Sequence, residues 1–276
     1  NFAREYVNID PENAADFGGK VRFRVPQNTG DLLTTISVKM KLPSISTLIY
    51  DDPRFIESIG HALIEHVDLM VGGKVIQRLT SDYLQIYSEH NITQTKQRAL
   101  KELIGKYPER TVDTRVSDKD ILGVIGTANT EDEFFVDLPF YFYNNPELAI
   151  PLCSITKQEV EVEIKIRNHD HLIIKGSTGQ LQPVTPGTIH IKDFRLCTEV
   201  VFLDPTERVK FMKEKKDYII TQVQQNVFDI PQGNQEGRFN LDFVNPVREL
   251  YFVIQRQGDV GTGEGQVPLD TKQKSL

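Results

Sequence analysis

The segment from Glu159 to Ile166 restricts the possible folds more than any other part of the chain. Its residues alternate strictly between charged and β-branched side chains, Glu-Val-Glu-Val-Glu-Ile-Lys-Ile. Successive side chains of a strand point to opposite faces of a sheet, so this pattern predicts a strand with one buried and one solvated face. The same period of two recurs along the chain and therefore bears on the whole fold.

The residues just before this segment also alternate. Leu138 to Tyr143 places two phenylalanines on one side and two tyrosines on the other, and Asn144-Asn145-Pro146 then stops the run. This pattern predicts a strand followed by a turn. Pro139 and Pro151 each lack the backbone N–H that a ladder needs, so we expect both at strand ends, bends or sheet edges.

Strands and helices are predicted along the rest of the chain from the same kind of evidence. The further predicted strands are Val21–Val25, Ile36–Leu42, Leu63–Val71, Lys74–Leu79, Thr188–Leu203, 218–228, 237–243 and 247–255. Helical spacing predicts one helix after an N-cap at Ser81, a second that stops at Gly105, and a third over 204–216 with Asp204 as its cap. The polar stretches 106–130 and 176–187 are predicted surface loops. Many evenly spaced strands with few helices indicate a β-sandwich or jelly roll.

Composition excludes several classes of protein. The 276 residues are 39% hydrophobic and 26% charged, values typical of a folded globular protein, and no apolar run approaches the roughly 20 residues of a membrane-spanning helix. The net charge of −7 argues against a broad phosphate-binding surface, so no direct contact with nucleic acid is expected. Cys153 and Cys197 have no metal-binding or redox spacing, and the absence of a disulfide framework fits folding in the cytosol.

One set of histidines resembles the metal site of a cupin. His169 and His171 lie two residues apart, which on a strand would place both on one face, and His190 follows the Pro186-Gly187 dipeptide. The glutamate that should follow the first pair is absent, because residues 172–175 are Leu-Ile-Ile-Lys. We therefore predict that these histidines are not metal ligands. No metal, cofactor or catalytic residue is assigned.

Other possible sites match their chemistry less well. His61, Glu65 and His66 lack the spacing of a zinc protease, and on a strand the two histidines would face opposite sides. The stripe of Glu159, Glu161 and Glu163 could line a sugar cleft, but a solvated strand face explains it better, since the chain has no Trp. Gly72-Gly73-Lys74 is not a phosphate loop but has the two glycines of a tight hairpin turn.

Five segments resemble the major capsid proteins of nucleocytoplasmic large DNA viruses, of the iridovirus and asfarvirus kind. The segment LPFYFYNNPELAIPLCSITKQEVEVEI is similar to a strand–turn–strand signature of that family. VVFLDPTERVKFMKEKKDYIITQVQ is similar to its junction between two jelly rolls, and LDFVNPVRELYFVIQ to the signature that follows. VRFRVPQNTGDLLTTISVKMKLP resembles the family's opening, and IGHALIEHVDLMVGGKVIQRLTSDYL its glycine hairpin and following helix.

The resemblance implies an all-β, double jelly roll fold and a structural role without catalysis. It implies a first jelly roll over 1–203, a helical linker over 204–216, and the beginning of a second jelly roll over 217–276. It also implies homotrimeric capsomers with a pseudo-sixfold outline in an icosahedral shell, assembled in the host cytoplasm. Implied partners are neighbouring capsomers and minor capsid proteins, with an inner viral membrane close by. The family's structural motifs fall on Pro26, Gly30, Asp31, Gly72, Gly73, Pro139, Pro151, Asp204, Asn245 and Pro246.

Two alternatives remain open at the level of sequence. One is a sugar-binding or carbohydrate-active jelly roll, which an exposed aromatic platform would favour. The other is a cupin-like oxygenase, which metal at the three histidines would favour. The predicted strands after residue 217 are too few to close a sandwich of their own. We therefore expect the chain to be a portion of a longer polypeptide with about five more strands after Leu276.

Overall fold

The computed structural model describes residues 2–45, 53–106, 133–175, 189–230 and 236–254. The strands within these ranges are β1 (Phe2–Ile9), β2 (Lys20–Val25), β3 (Leu32–Lys41), β4 (Pro53–Phe55), β5 (Ile64–Val71), β6 (Lys74–Thr80), β7 (Glu133–Asp137), β8 (Ile150–Pro151), β9 (Val160–Ile166), β10 (Ile173–Lys175) and β11 (Asp193–Leu203). The helices there are α1 (Ile59–Leu63), α2 (Ser81–Asn91), α3 (Gln94–Ile104) and α4 (Pro205–Lys213). None of these helices has the length and apolar character needed to cross a membrane.

Eight of the strands form two facing sheets of four. One sheet has the order β1-β11-β3-β7, with the short β8 also paired to β3, and the other has the order β2-β9-β5-β6. All pairings are antiparallel. Along the chain, these eight strands alternate between the two sheets except at the β5–β6 hairpin. Two four-stranded sheets connected in this way are a jelly roll.

The core lies between the two sheets. It consists of the side chains that face inward from both sheets, which are every second residue along strands such as β2. In β2, Val21, Phe23 and Val25 are buried while Lys20, Arg22 and Arg24 are exposed. The rings of Phe23 and Phe194, on β2 and β11, meet across the sandwich with centroids 6.0 Å apart. The predicted period of two is thus confirmed for β2 and β9, because each has one face against this core.

The β5–β6 hairpin turns at Gly72 and Gly73, whose φ angles are +60° and +75°. Both angles lie in the left-handed region, which glycine adopts without the steric cost of a Cβ atom. Val71 then pairs directly with Lys74. The two-residue turn predicted from the glycine pair is confirmed.

Several predicted elements differ from the structure. Leu138–Tyr143 is not a strand, because β7 ends at Asp137 and Pro139 cannot extend the ladder; turns follow, with Tyr143 N–H donating to Phe140 O. The N-cap of α2 is Thr80, whose side chain accepts from Tyr83 N–H, and Ser81 instead donates to His61 O. The predicted strand 188–203 begins at Asp193 within the described residues. The predicted loops 106–130 and 176–187 lie outside them except for Lys106.

The third predicted helix is present as α4 but is shorter than predicted. It ends at Lys213 rather than at residue 216, and Pro205 occupies its first turn as predicted. Asp204 is the N-cap residue, yet its side chain makes no capping hydrogen bond. The C-cap of α3 is Gly105, in agreement with the sequence.

No strand is present in the described residues after 213, although three were predicted, at 218–228, 237–243 and 247–255. A strand is stabilised by backbone hydrogen bonds to a neighbouring strand. The described parts of 217–254 make side-chain hydrogen bonds, such as those between Gln224 and Val244, but form no regular ladder. The prediction of these three strands is therefore wrong for the described residues, because alternation of apolar and polar residues does not by itself supply a partner strand.

Candidate functional site

Of the three histidines that resemble a cupin site, His169 and His190 contact different carboxylates. His169 and His171 lie in a short 3-10 turn and not on a strand, so their spacing does not place them on one face. His169 Nδ1 is 2.7 Å from Asp170 Oδ1, and His190 Nδ1 is 2.8 Å from Asp16 Oδ2. Among the residues that the structure describes, no cluster of three or more His, Cys, Asp or Glu side chains has the geometry to hold a metal ion.

His61 has a structural position beneath α2. It lies in α1 and not on a strand, is buried, and its Nδ1 is 2.9 Å from Gln85 Oε1. Burial lowers the pKa of His61 to about 4. His66 lies on β5 with Glu65 beside it, at an Nδ1–Oε1 distance of 3.8 Å. The contact of His61 with an amide is typical of a neutral histidine within the core.

The acidic stripe of β9 faces a basic stripe on β2. Lys20 Nζ lies 2.8 Å from Glu163 Oε1, and an Arg22 guanidinium nitrogen lies 3.0 Å from Glu163 Oε2. Hydrogen bonds from these two cations lower the pKa of Glu163. Arg24 pairs in the same way with Glu159 at 3.2 Å. Glu159 and Glu163 therefore belong to a cross-strand ion-pair network on the sheet surface. The prediction of a solvated face holds less well for Glu161, which is buried.

The direction of the strands places the connections at two opposite ends of the sandwich. At one end, called the long-loop end, strands β1, β3, β6 and β9 finish and strands β2, β5, β7 and β11 begin. The opposite end, the junction end, has the connections 26–31, 72–73 and 138–159, together with the end of β11 and α4. The strand ends that the long connections join and the exit of the chain toward residue 217 thus lie at opposite ends of the jelly roll.

Asp31 is the centre of the junction end. Its side chain is buried, with Oδ2 accepting from Leu203 N–H at 2.8 Å and Oδ1 lying 3.0 Å from Arg208 Nε in α4. Its backbone N–H donates to Val201 O at 2.9 Å, and its carbonyl accepts from Cys153 N–H at 3.2 Å. One residue therefore connects the end of β11, the 138–159 connection and α4.

Two further contacts complete the junction end. Gly30 lies so close to β11 that a Cβ atom there would be 2.7 Å from Val200 Cβ. Its φ of 179° is extended backbone that any residue adopts, so space alone requires the glycine. Ser154 Oγ donates to the carbonyl of Phe211 in α4 at 2.8 Å. Sequence reasoning named Gly30 and Asp31 only as family motif positions and missed Arg208 and Ser154, because no local pattern marks a contact between distant segments.

The other motif residues have recognisable backbone roles. Pro26 O accepts from Thr29 N–H in a 3-10 turn, and Pro151 lies on β8 opposite Leu32. Asn245, which precedes Pro246, has a φ of +76°, an angle that Asn tolerates better than most residues. These positions shape turns and edges, and none contacts a candidate catalytic group.

Residues 217–254 are here called the trailing segment, and the structure describes them except for 231–235. This segment lies against β6 and α2. Gln222 Nε2 donates to Ile76 O at 2.8 Å, and Gln225 Nε2 donates to Asp82 Oδ2 at 3.3 Å. Many apolar side chains of the segment are nevertheless exposed, including Ile219 at 92%, Phe252 at 77% and Ile254 at 88%. This is the largest concentration of exposed apolar side chains in the described residues, and it indicates a surface for burial rather than for chemistry.

The family model described as "Major capsid protein N-terminus" matches residues 1–204 of this chain. That range ends within one residue of the end of β11 and includes both jelly-roll sheets. The matched part of the chain is therefore the domain whose strands and junction end are described above.

Individual capsid proteins are similar over most of the chain. Capsid protein 1 of Acanthamoeba polyphaga mimivirus is 28% identical over 91% of this chain and 44% of its own length. The major capsid protein of Phaeocystis pouchetii virus is 24% identical over 94% of this chain and 53% of its own length. That of Frog virus 3 is 23% identical over 87% of this chain and 54% of its own length. The chain spans about half the length of these curated relatives.

Solved structures of the same kind share the fold. VP54 of PBCV-1, fitted into a reconstruction of the virophage Sputnik, has a TM-score of 0.62 at 21% identity, over 80% of this chain and 47% of VP54. The Faustovirus major capsid protein has a TM-score of 0.52 at 15% identity, over 77% of this chain and 56% of its own. These neighbours are double jelly roll capsid proteins, which confirms the predicted fold class. The family consists of structural proteins and not of enzymes.

Proposed function

Because this chain belongs to the major capsid protein family, we propose that it is a structural subunit of the shell of a large icosahedral DNA virus. The observation that carries the proposal is the match of the family model to residues 1–204, the same residues that fold as a jelly roll. Its work would be self-assembly through buried interfaces, and the protein would be located in the virion.

The proposed division of the chain follows its change of structure. Residues 1–203 would form the first jelly roll, 204–216 the linker, and 217–276 the beginning of the second jelly roll. In support of this division, β11 ends at Leu203, α4 begins at Pro205, and the exposed apolar side chains are concentrated after residue 217. Those side chains would be covered by the second domain.

The proposed assembly is a homotrimer with a pseudo-sixfold outline that tiles the facets of the shell. The long-loop end would face outward or contact neighbouring subunits, because long loops are where surface functions concentrate. Further partners would be neighbouring capsomers and minor capsid proteins, near an inner membrane, with assembly in the host cytoplasm. The net charge of −7 supports a subunit without direct contact with nucleic acid.

The test uses particles purified from the culture that carries the gene. An antibody raised against residues 1–204 should label the outer shell of intact icosahedral particles in electron micrographs. Brief amine cross-linking of those particles, followed by immunoblotting, should give a dominant band at three times the protomer mass. The proposal is wrong if the protein is present in infected cells but absent from particles. Dimers without trimers in the cross-linked shell would disprove the trimeric arrangement alone.

A further inference from the structure

We propose that Asp31 is an orienting residue that fixes the direction in which the chain leaves the first jelly roll, through its ion pair with Arg208. The two carboxylate oxygens have different tasks. Oδ2 is fixed to the backbone of β11 by Leu203 N–H, and Oδ1 faces Arg208 Nε. The first bond sets the position of the carboxylate, and the second transfers that position to α4.

The rest of Asp31 is equally constrained. Its N–H and carbonyl bond to Val201 and Cys153, and the preceding Gly30 allows the loop to lie directly against Val200. The carboxylate is therefore attached to a backbone that cannot shift without breaking contacts to two other segments. A buried carboxylate requires such partners, since an uncompensated charge in the interior is costly.

The helix has little apolar packing that could hold its direction. None of the side chains of α4 is buried, and Val209 and Met212 are 45% and 51% exposed. Helices are usually oriented by an apolar face packed on the core, and in α4 Phe211 alone has a partly covered apolar side chain. Polar contacts are therefore left to hold most of its direction.

The two polar contacts are made at residues three apart in the helix, one by a side chain and one by a backbone carbonyl. Arg208 pairs with Asp31, and three residues later the Phe211 carbonyl accepts from Ser154 Oγ. Three residues correspond to about 4.5 Å along the helix axis. Two anchors along the axis define its direction, whereas one would leave α4 free to pivot. The residues that follow then lie beside β6, where Gln222 bonds to Ile76 O.

The orienting role of Asp31 concerns the geometry within one chain and does not depend on trimer formation. The orienting role and the proposed capsid function can therefore fail independently of each other. Arg208→Gln removes the ion pair at a residue whose side chain is largely exposed, and Ser154→Ala removes the second anchor. The matched control is Arg195→Gln, because Arg195 lies at the far end of β11 and its Nε makes a comparable ion pair with Asp193 at 2.9 Å.

The first measurement is hydrogen exchange by mass spectrometry on the 276-residue chain. We expect Arg208→Gln to raise exchange of the α4 amides roughly tenfold, with β9 unchanged. Arg195→Gln should leave α4 as in the wild type. Equal exchange of α4 in the wild type and in both Arg208→Gln and Ser154→Ala would overturn the proposal, as would an identical effect of the Arg195 control.

The second measurement reads the direction of the helix and not only its stability. Nitroxide labels are placed at Lys96 on α3 and Lys213 on α4, in a background with Cys153 and Cys197 replaced by Ser. The distribution of distances between them should be narrow in the parent, and its width should roughly double in Arg208→Gln. An unchanged distribution would show that α4 is oriented by something other than Asp31.

Discussion

The first jelly roll and the trailing segment have similar sequence patterns and opposite structures. Both contain runs in which apolar and polar residues alternate, such as Val160–Ile166 in the first and Arg238–Phe243 in the second. In the jelly roll each run pairs with neighbouring strands and buries its apolar face. In the trailing segment most of the apolar side chains stay exposed. Alternation therefore indicates which residues could face a core, and partner strands decide whether a strand forms.

The largest expected difference between the two regions is the effect of the same truncation in each. Phe23 is completely buried between the sheets, whereas Phe252 is 77% exposed. Phe23→Ala should lower the free energy of unfolding by about 3–5 kcal/mol, because it leaves a cavity in the core. Phe252→Ala should change it by less than about 0.5 kcal/mol. Urea unfolding followed by circular dichroism measures both. Similar losses would mean that Phe252 packs against a core in solution.

Acid should act on the jelly roll through His61. All six histidines precede residue 204, and burial lowers the pKa of His61 to about 4. Between pH 6.5 and 4 the unfolded chain binds a proton that the folded chain does not, so stability falls as pH falls through this window. The loss should approach the order of 3 kcal/mol near pH 4.

The measurement compares the urea midpoint from pH 7 to pH 4 in the wild type and in His61→Gln. The variant cannot take up the proton, so its midpoint should fall less steeply than that of the wild type over this window. Parallel curves would show that folding does not lower the pKa of His61.

Replacing one glycine by alanine in the jelly roll and one in the trailing segment compares how tightly the backbone is packed in the two regions. A Cβ atom at Gly30 would lie 2.7 Å from Val200 Cβ, and one at Gly237 would lie 2.7 Å from the end of the Phe239 ring. Val200 Cβ belongs to a buried strand and cannot move away, so Gly30→Ala should cost about 1–3 kcal/mol. The exposed Phe239 ring can swing aside, so Gly237→Ala should have little effect.

The control for this prediction is a second substitution at the site of the clash. Val200→Ala added to Gly30→Ala keeps its own Cβ and therefore relieves only the secondary contacts with the valine methyl groups. Compared with Val200→Ala alone, the double variant should still lose more than half of the stability that Gly30→Ala loses in the wild type. Full recovery would show that the methyl groups, and not the close approach of the two backbones, require glycine at residue 30.

The strands that the sequence predicts well are those with one solvent-facing and one buried face. In β2 and β9 every second residue contacts the same core, so the pattern is visible in the residues themselves. The edge strand β1 carries no such signal, because its outward face has Phe2 and Tyr6 and its inward face includes Glu5. Leu138–Phe142 alternates for a different reason: the residues are buried from a series of turns that follow Pro139.

The candidate site was less predictable than the fold, because its contacts join segments far apart in sequence. Asp31 was identified only through a family motif, and nothing near Arg208 or Ser154 in the sequence indicates that they meet the same loop. The histidines show the converse error. Their i and i+2 spacing suggested a shared strand face, but Asn168 and Asp170 favour a turn, and the spacing rule for strands then no longer applies.

The smallest expected difference concerns surface ion pairs. Glu163 accepts from both Lys20 and Arg22 across two paired strands, whereas Glu249 in the trailing segment contacts its exposed neighbour Arg248 at 3.5 Å. The pKa of Glu163 is lowered by its two partners, so its contribution is present above the ordinary value near 4.5 and is lost as pH falls through the folded pKa. Glu163→Gln should cost roughly 0.2–1 kcal/mol at pH 7, and less in high salt, because solvent screens such pairs. Glu249→Gln should have no measurable effect, since neither side chain is held by a sheet. An equal loss from both variants would mean that the trailing segment is as ordered as the jelly roll in solution.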